Sequence, residues 1–249
     1  MFLNEFCSSQ QGGKVFIDAV QASRFAKDIA GDFNPIHDAD AKRFCVPGDL
    51  LFSLVLQRLG LNRNMSFTFL GMVGHNVLLN FPETAASSFE VSDDAGKSYL
   101  KVDRSGDNSC DGTMIENFIR SYVAFSGPNF PHVLVPLMEH YRVMFNTERP
   151  LVIYDRMEFE FDTLDFSNPV LRSLENTLDV NGKRGDVRFH FAVVSDGETV
   201  GRGFKRILIS GLRDYDKVLL DSFVENYVAR MESYRSLVKE EKGLLGFGF

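Results

Sequence analysis

Apolar positions recur at helical spacing in a few short stretches of this chain and alternate, or run together, elsewhere. From Val20 onward, Val20, Phe25, Ile29 and Ala30 predict a short amphipathic helix. Gly31 suits its end, and Pro35 biases Asn34 away from helical geometry. After Pro47 and Gly48, the residues Leu50, Leu51, Leu54, Val55 and Leu59 make a face so apolar that this helix is expected to be nearly enclosed. Segments 67–70, 77–81, 88–92 and 98–103 then read as strands of a meander, with Asp93-Asp94-Ala95-Gly96 as the hairpin turn between the last two.

The order is repeated in the second half. Phe118, Ile119, Tyr122, Val123 and Phe125 predict another short helix, followed by Gly127, Pro128 and Pro131. A second apolar helix is expected over 134–145, and strands over 157–161, 171–180, 187–194 and 199–209. Asn181-Gly182 is a strong hairpin signal. Gly31 and Gly127 stand as far apart as Pro35 and Pro131, so the expected layout is two units, 1–110 and 111–212. A helix and tail over 213–249 follow. Leu220, Val224, Tyr227, Met231, Tyr234 and Val238 suit a helix packed on its own chain, or on a sister subunit in a homodimer, rather than a long coiled coil. The apolar end GLLGFGF is suited to tuck into a groove.

With 44% hydrophobic and 24% charged residues, the chain of 249 can bury a core. A net charge of −7 argues against a nucleic-acid partner and gives no general attraction to an anionic membrane. A polyanionic ligand would have to meet a local basic cluster. Three cysteines without CxxC spacing give no metal signal and fit a reducing compartment, and no motif calls for a cofactor. The N-terminal stretch carries an acid early and lacks a long apolar run. The apolar helix after Gly48 is broken by Ser53, Gln57 and Arg58, and is shorter than the roughly 20 residues a bilayer needs. A cytoplasmic protein without a membrane span is the expectation.

Residues 31–44 read GDFNPIHDADAKRF and hold Asp32 and His37 across an Asn-Pro turn. Asp-x-Asn-Pro is ordinary turn chemistry, and a lone histidine is more often a packing or surface residue. The second half carries Pro128 and Val133 at the matching positions, so the acid/base pair occurs only once. A buried helix wrapped by an antiparallel meander is the hot-dog plan. Used twice, it gives an α+β double hot-dog, two meander sheets each wrapped on a central helix, plus the C-terminal helix.

FAKDIAGDFNPIH followed by VPGDLLFSLVLQRLG resembles the MaoC-like dehydratases and (R)-specific enoyl-CoA hydratases. The resemblance implies water addition to, or removal from, an acyl thioester of the trans-2-enoyl-CoA / (R)-3-hydroxyacyl-CoA kind. Asp32 and His37 would hold the water, and Asn34 would brace the turn. Backbone N–H groups near Gly48 would hold the thioester oxygen, with Ser53 as a partial substitute for a small polar residue further along the helix. Lys42, Arg43, Arg58 and Arg63 are the local cations for CoA phosphates, and the partner is acyl-CoA or an acyl carrier protein thioester. The residues add physical support. Asp32 follows a helix C-terminus, where the dipole should raise its pKa. Histidine titrates near neutrality, and helix N-terminal N–H groups suit an oxyanion.

Asp49 stands beside these donors, where a carboxylate would oppose an enolate, and it is expected to turn back and cap its own helix. Two other readings stay open. One is a non-catalytic acyl-thioester-binding or structural hot-dog protein, and the other is a thioesterase using Asp49 or Glu139. His75, His132, His140 and His190 fall at a loop, a turn without a preceding acid, a helix and a strand, and read as packing or surface histidines.

Overall fold

The computed structural model describes residues 2–10 and 13–245, with side chains to 240. Two short strands, β1 (Ser8–Ser9) and β2 (Val15–Phe16), lead to α1 (Ala19–Arg24). A capping box starts that helix. The Asp18 carboxylate accepts the Gln21 N–H at 2.8 Å, and the Gln21 side chain accepts the Asp18 N–H at 3.2 Å. The helix then widens into a π-helical turn, Phe25–Ala30, which Gly31 ends at φ 66°, a left-handed conformation that glycine adopts without a Cβ penalty. A 3-10 turn, Pro35–His37, precedes α2 (Gly48–Leu59), whose residues from Asp49 to Leu56 are all buried.

The strands β3 (Leu61–Phe69), β4 (Leu78–Leu79), β5 (Ser88–Ser92) and β6 (Ser98–Ser109) follow, then α3 (Gly112–Ser126), α4 (Asn129–His132), α5 (Leu134–Tyr141) and β7 (Val143–Met144). Four long strands, β8 (Leu151–Phe161), β9 (Val170–Asn181), β10 (Arg184–Ser195) and β11 (Glu198–Ser210), lead through β12 (Arg213–Asp214) to α6 (Lys217–Leu245). Seven strands form one antiparallel sheet in the order β5-β6-β3-β8-β11-β10-β9, while β1, β2 and β4 make a small second sheet and β7 and β12 a third. The halves of the chain meet where β3 pairs with β8, Phe67 opposite Met157.

The expected double hot-dog, two sheets each with its own central helix, is corrected by this arrangement. The second apolar helix, expected over 134–145, stops at Tyr141, because Arg142 takes a left-handed φ of 56°. Only Leu134 and Met138 of α5 are buried, so it lies on a rim rather than inside a sheet. The longer α3 packs with α2 in a single main core, where the Phe52 ring meets Phe67 at 5.1 Å and Tyr122 at 4.9 Å. A smaller core gathers Leu134, Met138, Met144, Phe145, Leu178 and Leu220 under α5 and α6. One sheet serves both. Gly127 explains how tightly α3 docks: a Cβ there would lie 1.9 Å from the Ala30 carbonyl oxygen. No described helix is long and apolar enough to cross a membrane. Of the apolar tail, residues 246–249 lie outside the described residues.

Candidate active site

The turn after the π-helical segment is held by its own polar side chains. The Asn34 N–H donates to Asp32 Oδ1 at 2.9 Å, and Asn34 Oδ1 accepts the Ile36 N–H at 3.2 Å. The His37 N–H returns to the Asn34 carbonyl at 3.0 Å. Asp32 and His37 thereby face each other, with His37 Nε2 3.5 Å from Asp32 Oδ2 and side chains 12% and 29% exposed for His37 and Asp32. His37 Nδ1 lies 2.7 Å from the Cys45 carbonyl oxygen, an acceptor only, so Nδ1 carries a proton. A neutral ring would then turn the Nε2 lone pair toward a carboxylate, and the imidazolium avoids that repulsion.

The titration of the pair follows. Burial works against the imidazolium, but the hydrogen bond and charge of Asp32, the Cys45 carbonyl and the charge of Asp49 outweigh it, and the His37 pKa is raised. Burial likewise works against the Asp32 charge. His37, the Asn34 N–H and the Lys205 ammonium outweigh it, and the Asp32 pKa is lowered. The expected rise from the helix terminus is therefore overturned by a cation built in opposite the carboxylate. Burial pushes the nearby Cys45 thiol up to about 11, which leaves it without thiolate character near neutrality.

Asp49 completes the site from α2. The helix begins after Pro47 with no side-chain cap, so Asp49 does not cap it. Its carboxylate is buried, and Oδ1 has no hydrogen-bond partner. Two phenols stand beside it, Tyr122 from α3 and Tyr154 from β8, their hydroxyl oxygens 2.8 Å apart. Burial first, then the Asp49 charge, pushes the Tyr122 hydroxyl well above the ordinary tyrosine range. Tyr154 is pushed the same way by burial, by Tyr122 and by Asp49, so both phenols stay protonated donors. Lys205 of β11 closes the group, its Nζ donating to Ser126 Oγ at 2.6 Å and lying 4.1 Å from the Tyr154 ring centroid.

The other residues singled out in the sequence lie as follows. Ser53 is buried and donates to the Asp49 carbonyl at 2.6 Å, a bond within the helix. Over Gly48 the rings of Phe69 and Tyr154 leave no room, since a Cβ there would meet Phe69 Cε1 at 2.9 Å. Lys42 and Arg43 are exposed in the turn between His37 and Cys45. Arg58 and Arg63 are spent elsewhere, on the carbonyls of Gly13 at 2.7 Å and of Asp162 at 2.7 Å. Glu139 is exposed on α5. An open groove of about 650 Å³ runs over the sheet beside Ser66, Asp103, Glu158, His190 and Arg202 and shares no residue with the site. Two of its carboxylates are paired, Glu158 with Arg156 and Asp103 with Lys101, and the buried titratable cluster is the stronger candidate. Among the described residues no group of three or more His, Cys, Asp or Glu side chains is placed to hold a metal.

Residues 1–218 match the family described as Protein of unknown function (DUF3581). The chain belongs to that family. The MaoC-like assignment is thereby corrected, since its motif spans a short stretch while the DUF3581 match spans most of the chain. No curated protein sequence matches this DUF3581 chain. Among solved structures it is similar to an acyl-CoA thioesterase II from Mycobacterium marinum, at 9% identity and a TM-score of 0.40 over 87% of this chain and 99% of that one. It is also similar to an acyl-ACP thioesterase from Bacteroides thetaiotaomicron, at 13% identity and a TM-score of 0.38 over 67% of this chain and 92% of that one. The hydratase/dehydratase reading, which rested on the MaoC-like motif, is not retained. The site gives the physical reason: a buried carboxylate stands where an enolate would need neutral donors.

Tyr122, Tyr154, Ser126 and Lys205 were absent from the sequence-derived site. Lys205 had a legible signal, since it alternates in phase with the buried Ile207 and Ile209 and so belongs to the inner face of its strand. Tyr122 reads simply as one more apolar position of a helix.

Proposed function

We propose that this DUF3581 chain hydrolyses acyl thioesters, with Asp49 as the general base. The observation that carries the reading is the buried Asp49 carboxylate. It stands at the first turn of an enclosed helix, with Oδ1 unpartnered, beside two phenols and an imidazolium. The helix N-terminus favours its negative charge, and the free oxygen can take a proton from water. That water's oxygen bonds to the thioester carbonyl carbon. The developing oxyanion is met by the protonated donors, the His37 imidazolium and the Tyr122–Tyr154 hydroxyls. The C–S bond then breaks, and the thiolate leaves with the proton that Asp49 had taken. The products are a carboxylate, a thiol and one proton released to solvent.

Acyl-CoA and acyl carrier protein thioesters share a phosphopantetheine arm, and Lys42 and Arg43 are exposed cations beside the turn for its phosphate. The closed packing of Phe69 and Tyr154 over Gly48 favours one competitor, a non-catalytic thioester-binding protein. Thiol release from short-, medium- and long-chain acyl-CoA esters separates the two. Release by the native chain, reduced on the order of 10²–10⁴-fold in Asp49→Asn, is expected. No release with any ester, alongside saturable acyl-CoA binding, would establish the competitor instead.

A further inference from the structure

The C-terminal helix α6 begins at Lys217, where the family match ends at residue 218, and three of its residues hold the turn that carries the acid/base pair. The Phe33 N–H, directly after Asp32, donates to the Tyr227 hydroxyl at 3.0 Å in a buried setting. Arg230 pairs with Asp38, directly after His37, and Lys27 pairs with the same carboxylate at 2.9 Å. Tyr234 donates to Asp28 Oδ1 at 2.7 Å on the π-helical segment. Positions 227, 230 and 234 recur at three- and four-residue steps and so share one face of the helix. The Phe33 ring is held edge-on by Tyr227 at 6.3 Å and by Tyr234 at 5.8 Å. Both ends of the Asp32–His37 turn are thus tied to one rigid element.

We propose that α6 is a brace, and that Tyr227 is a positioning residue that sets Asp32 against His37. The inference rests on the site reading above, but its mechanism is local. Two peptide groups join Asp32 to Asn34: the first donates its N–H to Tyr227 and the second to Asp32 Oδ1, so the direction of the Asp32 carboxylate depends on both bonds. A separation of 3.5 Å is already at the long edge of hydrogen-bond distance, so a small displacement of Asp32 would lose the bond to His37. The charged and titratable groups facing the pair are Asp49 from α2, Lys205 from β11, and Tyr227 itself. At the turn's far end Asp38 stands between two cations, Lys27 and Arg230, so loss of Arg230 would by charge alone raise the His37 midpoint, opposite to a loss of geometry. A brace that acts through geometry therefore reads out on His37, whose protonation depends on where Asp32 sits.

The test is an imidazole NMR titration of His37 in the full chain, for the native protein, Tyr227→Phe and Arg230→Gln. The phenylalanine variant keeps the ring packing and removes the acceptor. Its His37 midpoint should fall toward the ordinary value of about 6.5, and Arg230→Gln, at an exposed position, should shift it the same way by less. A purely structural helix would lower the thermal midpoint and leave the His37 titration where it was. An unchanged titration in both variants overturns the proposal, and so does an unchanged titration in Arg230→Gln should Tyr227→Phe fail to fold. The readout needs no substrate, so a protein without thioesterase activity would sink the proposed function while leaving the brace to be judged on its own.

Discussion

His37 Nε2 lies 3.5 Å from Asp32 Oδ2, with its other ring nitrogen 2.7 Å from the Cys45 carbonyl, and this single contact makes stability depend on pH in two directions. The Asp32 pKa is lowered by folding. Its contribution is present above the unfolded value of about 3.9 and is lost as pH falls through the folded one. The His37 pKa is raised. Its contribution is complete below about 6.5 and is lost as pH rises through the folded value. The thermal midpoint should therefore have a plateau between about pH 4 and about pH 6.5 that the Asp32→Asn variant lacks. A difference between the two proteins that stays constant across the whole range would count against the pair.

Hydrolysis should share the upper limb. The imidazolium is the donor, so the rate of thiol release should fall as pH rises through the raised His37 pKa, while His37→Gln removes that limb and lowers the plateau. A rate that keeps climbing with pH would point to hydroxide attack without His37.

Gly127→Ala tests how α3 docks on the π-helical turn. The added Cβ would lie 1.9 Å from the Ala30 carbonyl oxygen and 2.6 Å from its carbonyl carbon, both backbone atoms that cannot rotate away. Overpacking of this kind costs about 1–3 kcal/mol or more. Urea unfolding measures it, and a cost near zero would mean that the two segments separate freely.

The Tyr122–Tyr154 hydroxyl bond, 2.8 Å long, should show coupling in a double-mutant cycle. Each single change to phenylalanine leaves a buried hydroxyl with one partner fewer and should cost about 1–3 kcal/mol. The double change should cost less than the sum. Additive values from chemical denaturation would show that the two phenols do not depend on each other.

Phe52 is fully buried against Phe67, Phe118, Tyr122 and Phe159. Phe52→Ala should cost about 3–5 kcal/mol, because rings fixed by both helix and sheet cannot collapse into the space. Differential denaturation of the variant checks this, and a loss under 1 kcal/mol would mean a loosely packed main core.

Local rules written into the chain decided its elements. The apolar face from Leu50 to Leu59 specified α2, because a helix that is apolar nearly all round must be enclosed wherever it lies. Asp93-Asp94-Ala95-Gly96 and Asn181-Gly182 specified two hairpins by turn chemistry alone, and Asp32-x-Asn34-Pro35 specified a turn whose side chains bond to their own backbone. Tertiary structure decided what these elements add up to. Whether a second apolar segment becomes a central helix depends on what covers it, and here α3 fills the main core while α5 is left on a rim. Tyr154 shows the limit most plainly. Alternation counted back from the inward-facing Met157 points it outward. A bulge leaves Asp155 without a ladder partner in the register with β11, sets Tyr154 opposite the buried Ile207, and turns its phenol onto Asp49. A strand's side-chain phase changes with one extra residue, and the partner strand determines where that residue sits.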